Sequence, residues 1–306
     1  MRLDGLEAFV AVVDAGSFSV AAERLGIARS MVSRRIADLE GRLGAQLLQR
    51  TTRRLSLTEA GRDFYDRASR ILIDIDEAEQ SVASGQAELR GRLRLTAPLS
   101  FGVRHLASAL DEFAHQHPEL ILDIELDDRQ INIVEEGFDL ALRIGHLQDS
   151  TLVARSLAPI RMVVCASEEY LRKHGEPHHP DELSNHFGLV YGNTPEHQQW
   201  KLINDDGQEI VSHPVSRLRA NNGDLLLRAA IDGLGIVVLP TFIGHEALAS
   251  GTLRPILHGW HPQPATLHAV YASRRHLPAR VRLLIEHLAK RFGENPYWDL
   301  TLPPKR

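Results

Sequence analysis

A chain of 306 residues exceeds one ordinary small domain, and at ~100–200 residues per domain it divides into two. Its 43% hydrophobic fraction suits folded, water-facing domains, no run approaches the ~18 apolar residues of a membrane span, and the single cysteine, Cys165, excludes an intramolecular disulfide. The net charge of -5 is uneven: residues 24–54 hold eight arginines against two acids, Asp38 and Glu40. Such a local basic patch on an acidic chain is the footprint of a nucleic-acid reader whose other domain does something else. Met1-Arg2-Leu3-Asp4-Gly5 meets an acid at once and lacks the apolar core of a signal peptide, so a reducing cytoplasm is the expected compartment.

In chain order, Leu3, Leu6, Phe9, Val10 and Val13 repeat at helical spacing over residues 3–15. Gly16 stops that helix, Ser17 caps the next, and Gly26 ends the second. A third helix runs over residues 29–43, with Val32, Ile36, Leu39 and Leu43 as its apolar stripe and Gly44 as its close. Three short helices with the tight Leu25-Gly26-Ile27-Ala28 link form a helix-turn-helix pattern. Residues 47–57 alternate Leu and Thr around a basic tip, which predicts a small β-hairpin wing. From Thr58 a long helix extends to residue 84. Its seam of Phe64, Ala68, Ile71, Ile75, Ala78 and Val82 follows a heptad-like 4-3 rhythm that predicts pairing with a second copy. Its other face is acidic and unsuited to DNA.

Beyond Leu93 the rhythm becomes β-α-β. Strands are predicted over residues 93–97, 120–126, 139–144, 152–157 and 160–166; Pro98-Leu99-Ser100 leads into a helix with Leu106, Leu110 and Phe113, and a short helix is predicted over 131–136. A second such unit follows, with strands over 188–191, 200–203, 209–212, 218–221 and 235–239 and a helix over 223–232. The strand over 267–271 and the helix over 278–292 return to the first unit, and residues 300–306 read as an unstructured tail. The expected fold is an all-α winged helix-turn-helix with a long dimerisation helix, then an α/β domain of two lobes. The divisions are 1–59 for DNA binding, 60–91 for the linker helix and hinge, and 92–306 for a ligand-holding clamshell.

Residues 3–65 carry a specific resemblance. Phe9-Val10-Ala11-Val12-Val13-Asp14-Ala15-Gly16-Ser17-Phe18 leads into Ala21-Ala22-Glu23-Arg24-Leu25-Gly26, then Val32-Ser33-Arg34-Arg35-Ile36, Leu39-Glu40, Leu43-Gly44 and Leu47-Leu48. Arg50-Thr51-Thr52-Arg53-Arg54 and Leu57-Thr58-Glu59-Ala60-Gly61 complete the series. In this order the residues closely resemble the LysR-type transcriptional regulators, and the rest of the chain is similar to that family's effector-binding region. The resemblance implies a non-enzymatic, homo-oligomeric regulator, dimeric or tetrameric, whose two α/β lobes are like those of a periplasmic binding protein. It implies binding to imperfect inverted repeats in double-stranded promoter DNA, response to a small-molecule effector, RNA polymerase as a further partner, and no cofactor or membrane.

The third helix should enter the major groove with Arg29, Ser30, Ser33 and Arg34 on one face. An arginine can grip guanine with two hydrogen bonds, and a serine can reach a base or a phosphate. For Arg34 and Arg35 the alternative is phosphate neutralisation, and for Ser33 a plain place on the helix surface. Arg53 and Arg54 suit a phosphate or minor-groove contact, against the alternative of a solvated hairpin tip. Members of the family often carry Ser-Gln where this chain has Ala28-Arg29, so the usual base contact at position 29 does not carry over and a distinct operator preference is expected. In the α/β domain, Pro98, Leu99, Ser100 and Phe101, then Asp128, Arg129, Arg143, Asn221 and Asn222, lie at strand ends where ligands of α/β sheets bind. The alternatives are an N-cap for Ser100, a surface pair for Asp128 and Arg129, and a turn for Asn221. An inward-pointing Arg143 would favour a carboxylate effector.

The histidine groups His115/His117 and His174/His178/His179 lack the cysteines or HExxH helix of a metal site and read as surface loops. Cys165, in an apolar strand, reads as core. A solute-binding protein would need an export signal, and an enzyme would need convergent acid–base or nucleophilic groups. A purely structural nucleoid protein would have no use for the second domain.

Overall fold

The computed structural model describes residues 2–50, 55–83, 89–129, 132–145, 152–193, 199–272 and 277–300. The chain parts into two compact units, residues 1–92 and 93–306.

In the first unit, α1 (Arg2–Ala15), α2 (Phe18–Leu25) and α3 (Arg29–Leu43) meet around Phe9, Val12, Ala21, Val32 and Ile36, all fully buried. The spacing of those residues explains the packing, since each helix turns one apolar stripe inward. Ser17 caps α2 by accepting from the Ser19 N–H, and Gly26 and Gly44 end α2 and α3 in the left-handed conformation. Strands β1 (Leu48–Arg50) and β2 (Leu55–Leu57) pair antiparallel as the expected wing, with Leu48 opposite Leu57. Helix α4 (Glu59–Ala83) follows, its start capped by the Thr58 hydroxyl, which accepts from the Gly61 N–H at 2.9 Å.

The second unit has two lobes. The first is a five-stranded sheet in the order β4-β3-β5-β15-β6, built from β3 (Gly91–Ala97), β4 (Leu120–Leu126), β5 (Leu140–Gly145), β6 (Leu152–Ile160) and β15 (Ala265–Ala272). Strands β3 and β5 run parallel, and β15 runs antiparallel to β5 and β6. A helical run leaves β3 as α5 (Leu99–Phe101), continues through a π-helical turn (Gly102–Leu106) and ends as α6 (Ala107–Gln116), which packs with α10 (Ala279–Phe292). The second lobe orders its sheet β11-β8-β12-β7-β13, from β7 (Met162–Ala166), β8 (Phe187–Tyr191), β11 (Val215–Ala220), β12 (Ile236–Pro240) and β13 (Arg254–Pro255). Helices α7 (Glu168–His174), α8 (Gly223–Ile231) and α9 (Thr241–Ala249) and a 3-10 turn (Pro180–Asn185) pack around it. A three-stranded antiparallel sheet of β9 (Trp200–Asn204), β10 (Glu209–Ser212) and β14 (Trp260–Pro262) flanks this lobe. The chain crosses between lobes at Arg161 and returns after β14, so the lobes share two strand connections.

Two expectations need correction. Residues 133–137 form consecutive turns rather than a helix over 131–136 (residue 131 lies outside the described residues). The Asn132 side chain accepts from the Val134 and Glu135 N–H groups, and Gly137 takes a φ of 72°, so the chain reverses and docks Ile133 on the sheet. The strand expected over 160–166 is cut at Arg161, because Ile160 belongs to the first lobe and Met162 to the second. Helices α7 and α9 add elements that periodicity did not show. At the C-terminus a 3-10 turn (Tyr297–Asp299) buries Trp298 completely just before Leu300, where an unstructured tail was expected; residues 301–306 lie outside the described residues.

Candidate functional site

The core side of α3 is taken by Val32, Ile36 and Leu39. Its outward side presents Arg29, Ser30 and Arg34 exposed, with Ser33 and Arg35 half-buried at its flanks. Arg35 leans toward α1, where its charge interacts with that of Asp4. Ala28 precedes α3 in extended conformation and offers no side-chain cap; its carbonyl accepts from the Met31 N–H at 2.9 Å, which leaves the Arg29 and Ser30 amides as the ones an outside acceptor such as a phosphate can meet. Arg53 and Arg54 lie outside the described residues.

The wing is tied to α3 by a residue that sequence reasoning did not single out as functional. Glu40 Oε1 accepts from the Leu47 N–H at 2.8 Å and the Leu48 N–H at 3.1 Å. The Leu47 carbonyl in turn accepts from the Thr58 N–H at 3.0 Å and the Thr58 hydroxyl at 3.3 Å. One peptide segment thus joins α3, the wing and α4.

On α4, Phe64 packs 5.6 Å from Phe9 by ring centroids, and Ala68 is fully buried, so the start of the seam serves the chain's own core. Ile71 is 48% exposed, and Ile75 is half-buried. Ala78 and Val82 belong to α4, but their side chains lie outside the described ones.

In the two-lobed unit, Ser100 is buried at the start of the helical run and donates to Asp224 Oδ2 at 2.5 Å. Asn222 caps α8 by accepting from the Leu225 N–H and also donates from Nδ2 to the Ser100 hydroxyl at 3.4 Å. Asp128 accepts from the Leu99 N–H at 3.1 Å. Burial, with the nearby charge of Asp127, pushes the Asp128 carboxyl above its ordinary value against the opposing Leu99 hydrogen bond. Asn193 of the second lobe donates to the Asp128 carbonyl at 3.4 Å. Tyr191 is half-buried, and desolvation, with the nearby charge of Asp128, pushes its phenol up to about 12. Arg143 interacts electrostatically with Asp127 and Asp128, and burial lowers its ordinary value. Among the described residues, its buried Nη2 and the Thr96 hydroxyl have no hydrogen-bond partner. Thr96 lies opposite Ala141 in the β3–β5 register, two residues from Arg143, so both orphaned groups share a sheet face.

The expected ligand residues therefore divide. Ser100, Asp128, Arg143 and Asn222 come together, with Pro98 and Leu99 at the rim. Phe101 does not join them: it is fully buried against Phe242, Phe292 and Trp298 and supports the helix from behind. Arg129 is 76% exposed and grips Asp127 at 2.6 Å. Asn221 is exposed at a bend. Sequence reasoning missed Thr96, Arg104, Tyr191, Asn193 and Asp224. Arg104 carried a signal, standing one helical turn after Ser100.

Among the described residues no group of three or more His, Cys, Asp or Glu is placed to hold a metal ion. Cys165 is fully buried in β7, and desolvation pushes its thiol up to about 12. Native chain is expected to leave Cys165 unlabelled by an aromatic disulfide reagent at pH 8, with one thiol titrating in denaturant; rapid native labelling would show that β7 opens.

A winged helix-turn-helix ahead of a two-lobed α/β unit defines the class of a ligand-responsive DNA-binding regulator. Residues 3–62 match the family model described as bacterial regulatory helix-turn-helix protein, lysR family. Residues 86–293 match the LysR substrate binding domain. The chain is 38% identical over 282 residues to an uncharacterized HTH-type transcriptional regulator of Haemophilus influenzae, covering 92% of this chain and 97% of the relative. It is 36% identical over 301 residues to an HTH-type transcriptional repressor of Pseudomonas aeruginosa, covering 98% and 95%. Among solved structures, CrgA of Neisseria meningitidis superposes with a TM-score of 0.58 at 36% identity, covering 93% of this chain and 98% of that one. The chain belongs to the LysR family: it is a DNA-binding transcription regulator carrying an effector-binding domain, and not an enzyme.

Proposed function

We propose that the protein binds imperfect inverted repeats in promoter DNA as a homodimer or a tetramer and changes its grip when a small organic anion occupies the cleft between its lobes. Residues 1–59 read the DNA, residues 60–91 pair two copies, and residues 92–306 sense the effector. Arg29, Ser30, Ser33 and Arg34 face bases in the major groove, while Arg35, Arg53 and Arg54 meet the phosphate backbone or the minor groove. The exposed Ile71, continuing the seam of Phe64, Ala68, Ile75, Ala78 and Val82, supports pairing through α4. The protein works in the cytoplasm, and RNA polymerase is the further partner it meets at a promoter.

The observation that carries the effector reading is the buried guanidinium nitrogen of Arg143, which has no hydrogen-bond partner among the described residues, on the same sheet face as the Thr96 hydroxyl, which also has none there. An orphaned buried donor costs about 1–3 kcal/mol, which a carboxylate oxygen removes. Ser100, Asp128 and Asn222 frame the same crevice, with Pro98, Leu99 and Phe101 shaping the helix start and Arg129 and Asn221 at its edge. Regulation follows if the effector binds one arrangement of the paired DNA-binding units better than the other.

The test is a gel shift of the full chain on DNA upstream of its own coding sequence against random DNA at moderate salt. Preferential binding is expected, and its absence would overturn the reading. Arg34→Ala should weaken promoter binding by roughly 1–3 kcal/mol while sparing random DNA. Equal losses on both would reduce Arg34 to a phosphate contact.

A further inference from the structure

The cleft already contains an anion of its own. Asp224 stands in the first turn of α8 in the second lobe and reaches across to the helical run of the first. Its Oδ2 accepts from the Ser100 hydroxyl at 2.5 Å and its Oδ1 from Arg104 Nε at 2.6 Å. One carboxylate thereby consumes two donors that stand one helical turn apart on the opposite lobe. The approach is close at the backbone too. A Cβ on Gly223 would sit 3.9 Å from the Ser100 hydroxyl, ordinary van der Waals contact, so the start of α8 lies directly against the helical run of the first lobe. Arg104 and Asp224 are 26% and 38% exposed, a partly desolvated pair whose hydrogen bonds are charge-assisted.

The surrounding charges make this contact conditional. Asp128 faces the same crevice, and its charge and that of Asp224 repel. Asp127 is neutralised by Arg129, and Asp224 by Arg104. Arg143 is the remaining cation of this set, and Asp127, Asp128 and Glu136 all act on it. An entering carboxylate would meet Asp128 and Asp224 together if Asp224 kept its place. It is accommodated with far less repulsion if Asp224 withdraws and leaves Ser100 and Arg104 to the newcomer.

We propose that Asp224 is an interlobe latch, an internal carboxylate that holds the lobes together in the unliganded chain and yields Ser100 and Arg104 to an acidic effector. The latch rests on the reading of the crevice as an anion site, but its first consequence is visible without any ligand. Effector entry then releases the second lobe from the first, a discrete change that the paired DNA-binding units could transmit.

The experiment uses the full chain with spin labels on cysteines introduced at the exposed positions Asp111 and Ser184, one on each lobe, buried Cys165 remaining unlabelled. Asp224→Asn keeps the shape and removes the charge, and Asp224→Ala removes both. Thermal melts check that each variant still unfolds cooperatively. Without ligand, both variants should show a longer or broader interlobe distance than the wild type. Calorimetric titration with succinate and with benzoate should show binding roughly tenfold tighter in the variants, the loss of one charge-assisted competitor. Unchanged distances in cooperatively folded variants overturn the latch, and so does equal carboxylate affinity in variant and wild type. Altered distances with neither carboxylate binding to any form leave the latch standing and overturn the anionic effector.

Discussion

Replacing Trp298 with alanine is expected to destabilise residues 93–306 by about 3–5 kcal/mol, the range for truncating a large buried aromatic side chain. The indole is fully buried, with ring centroids 4.7 Å from His105, 5.7 Å from Phe292 and 5.9 Å from Phe101. His105 ties this cluster to both lobes: one ring nitrogen is 2.9 Å from the Phe242 carbonyl in α9 and the other 2.5 Å from the Tyr297 hydroxyl. Burial lowers the His105 value, so the ring is held neutral and can both donate and accept. A cavity here therefore loosens the seam between the lobes as well as the core of one of them. Trp298→Phe should lose much less. The indole N–H has no acceptor among the described residues, and removing it returns part of a burial penalty of about 1–3 kcal/mol. Urea unfolding followed by far-UV circular dichroism checks both variants. An alanine variant within about 1 kcal/mol of the wild type would show that the C-terminal turn is not part of the fold's core.

Gly61→Ala should destabilise the DNA-binding unit by at least about 2 kcal/mol, although helix propensity alone predicts a gain of about 1 kcal/mol. The added Cβ would lie 2.0 Å from the Leu47 carbonyl oxygen and 2.9 Å from its carbon. That carbonyl cannot step aside cheaply. Thr58 holds its oxygen, and Glu40 holds the N–H groups of Leu47 and Leu48. The clash outweighs propensity because it falls on backbone pinned from two sides. The wing should shift relative to α3, so promoter binding should fall along with stability. Hydrogen exchange across residues 2–50 and gel shifts report the two effects. A variant as stable as the wild type would mean that the Leu47 segment is loose.

The helix-turn-helix was legible because its signals are local. Apolar residues at helical spacing, a serine cap and glycines that take left-handed φ values place α1, α2 and α3 within a residue or two. The seam of α4 was legible as a pattern, but its partner was not. Phe64 and Ala68 obey the heptad rhythm and still pack inside their own chain, because a stripe says that a face is apolar and not what covers it. Phe101 misled for a related reason: its position beside Ser100 suggested the crevice, while its side chain turns into the aromatic cluster.

The amino-acid sequence by itself determined the basic patch on α3, the wing, the alternation of strands and helices after residue 93, and the family those patterns spell. Tertiary structure alone decided what fills the cleft. Asp224 meets Ser100 from 124 positions away and Arg104 from 120, and Trp298 joins Phe101 from farther still along the chain. Those meetings depend on β6 handing the chain to β7 at a single residue and on β15 bringing it back. Periodicity registers which face of an element is apolar over a few turns. It carries no signal for two polar side chains brought within hydrogen-bond distance by strand crossings, and the cleft is assembled from such pairs.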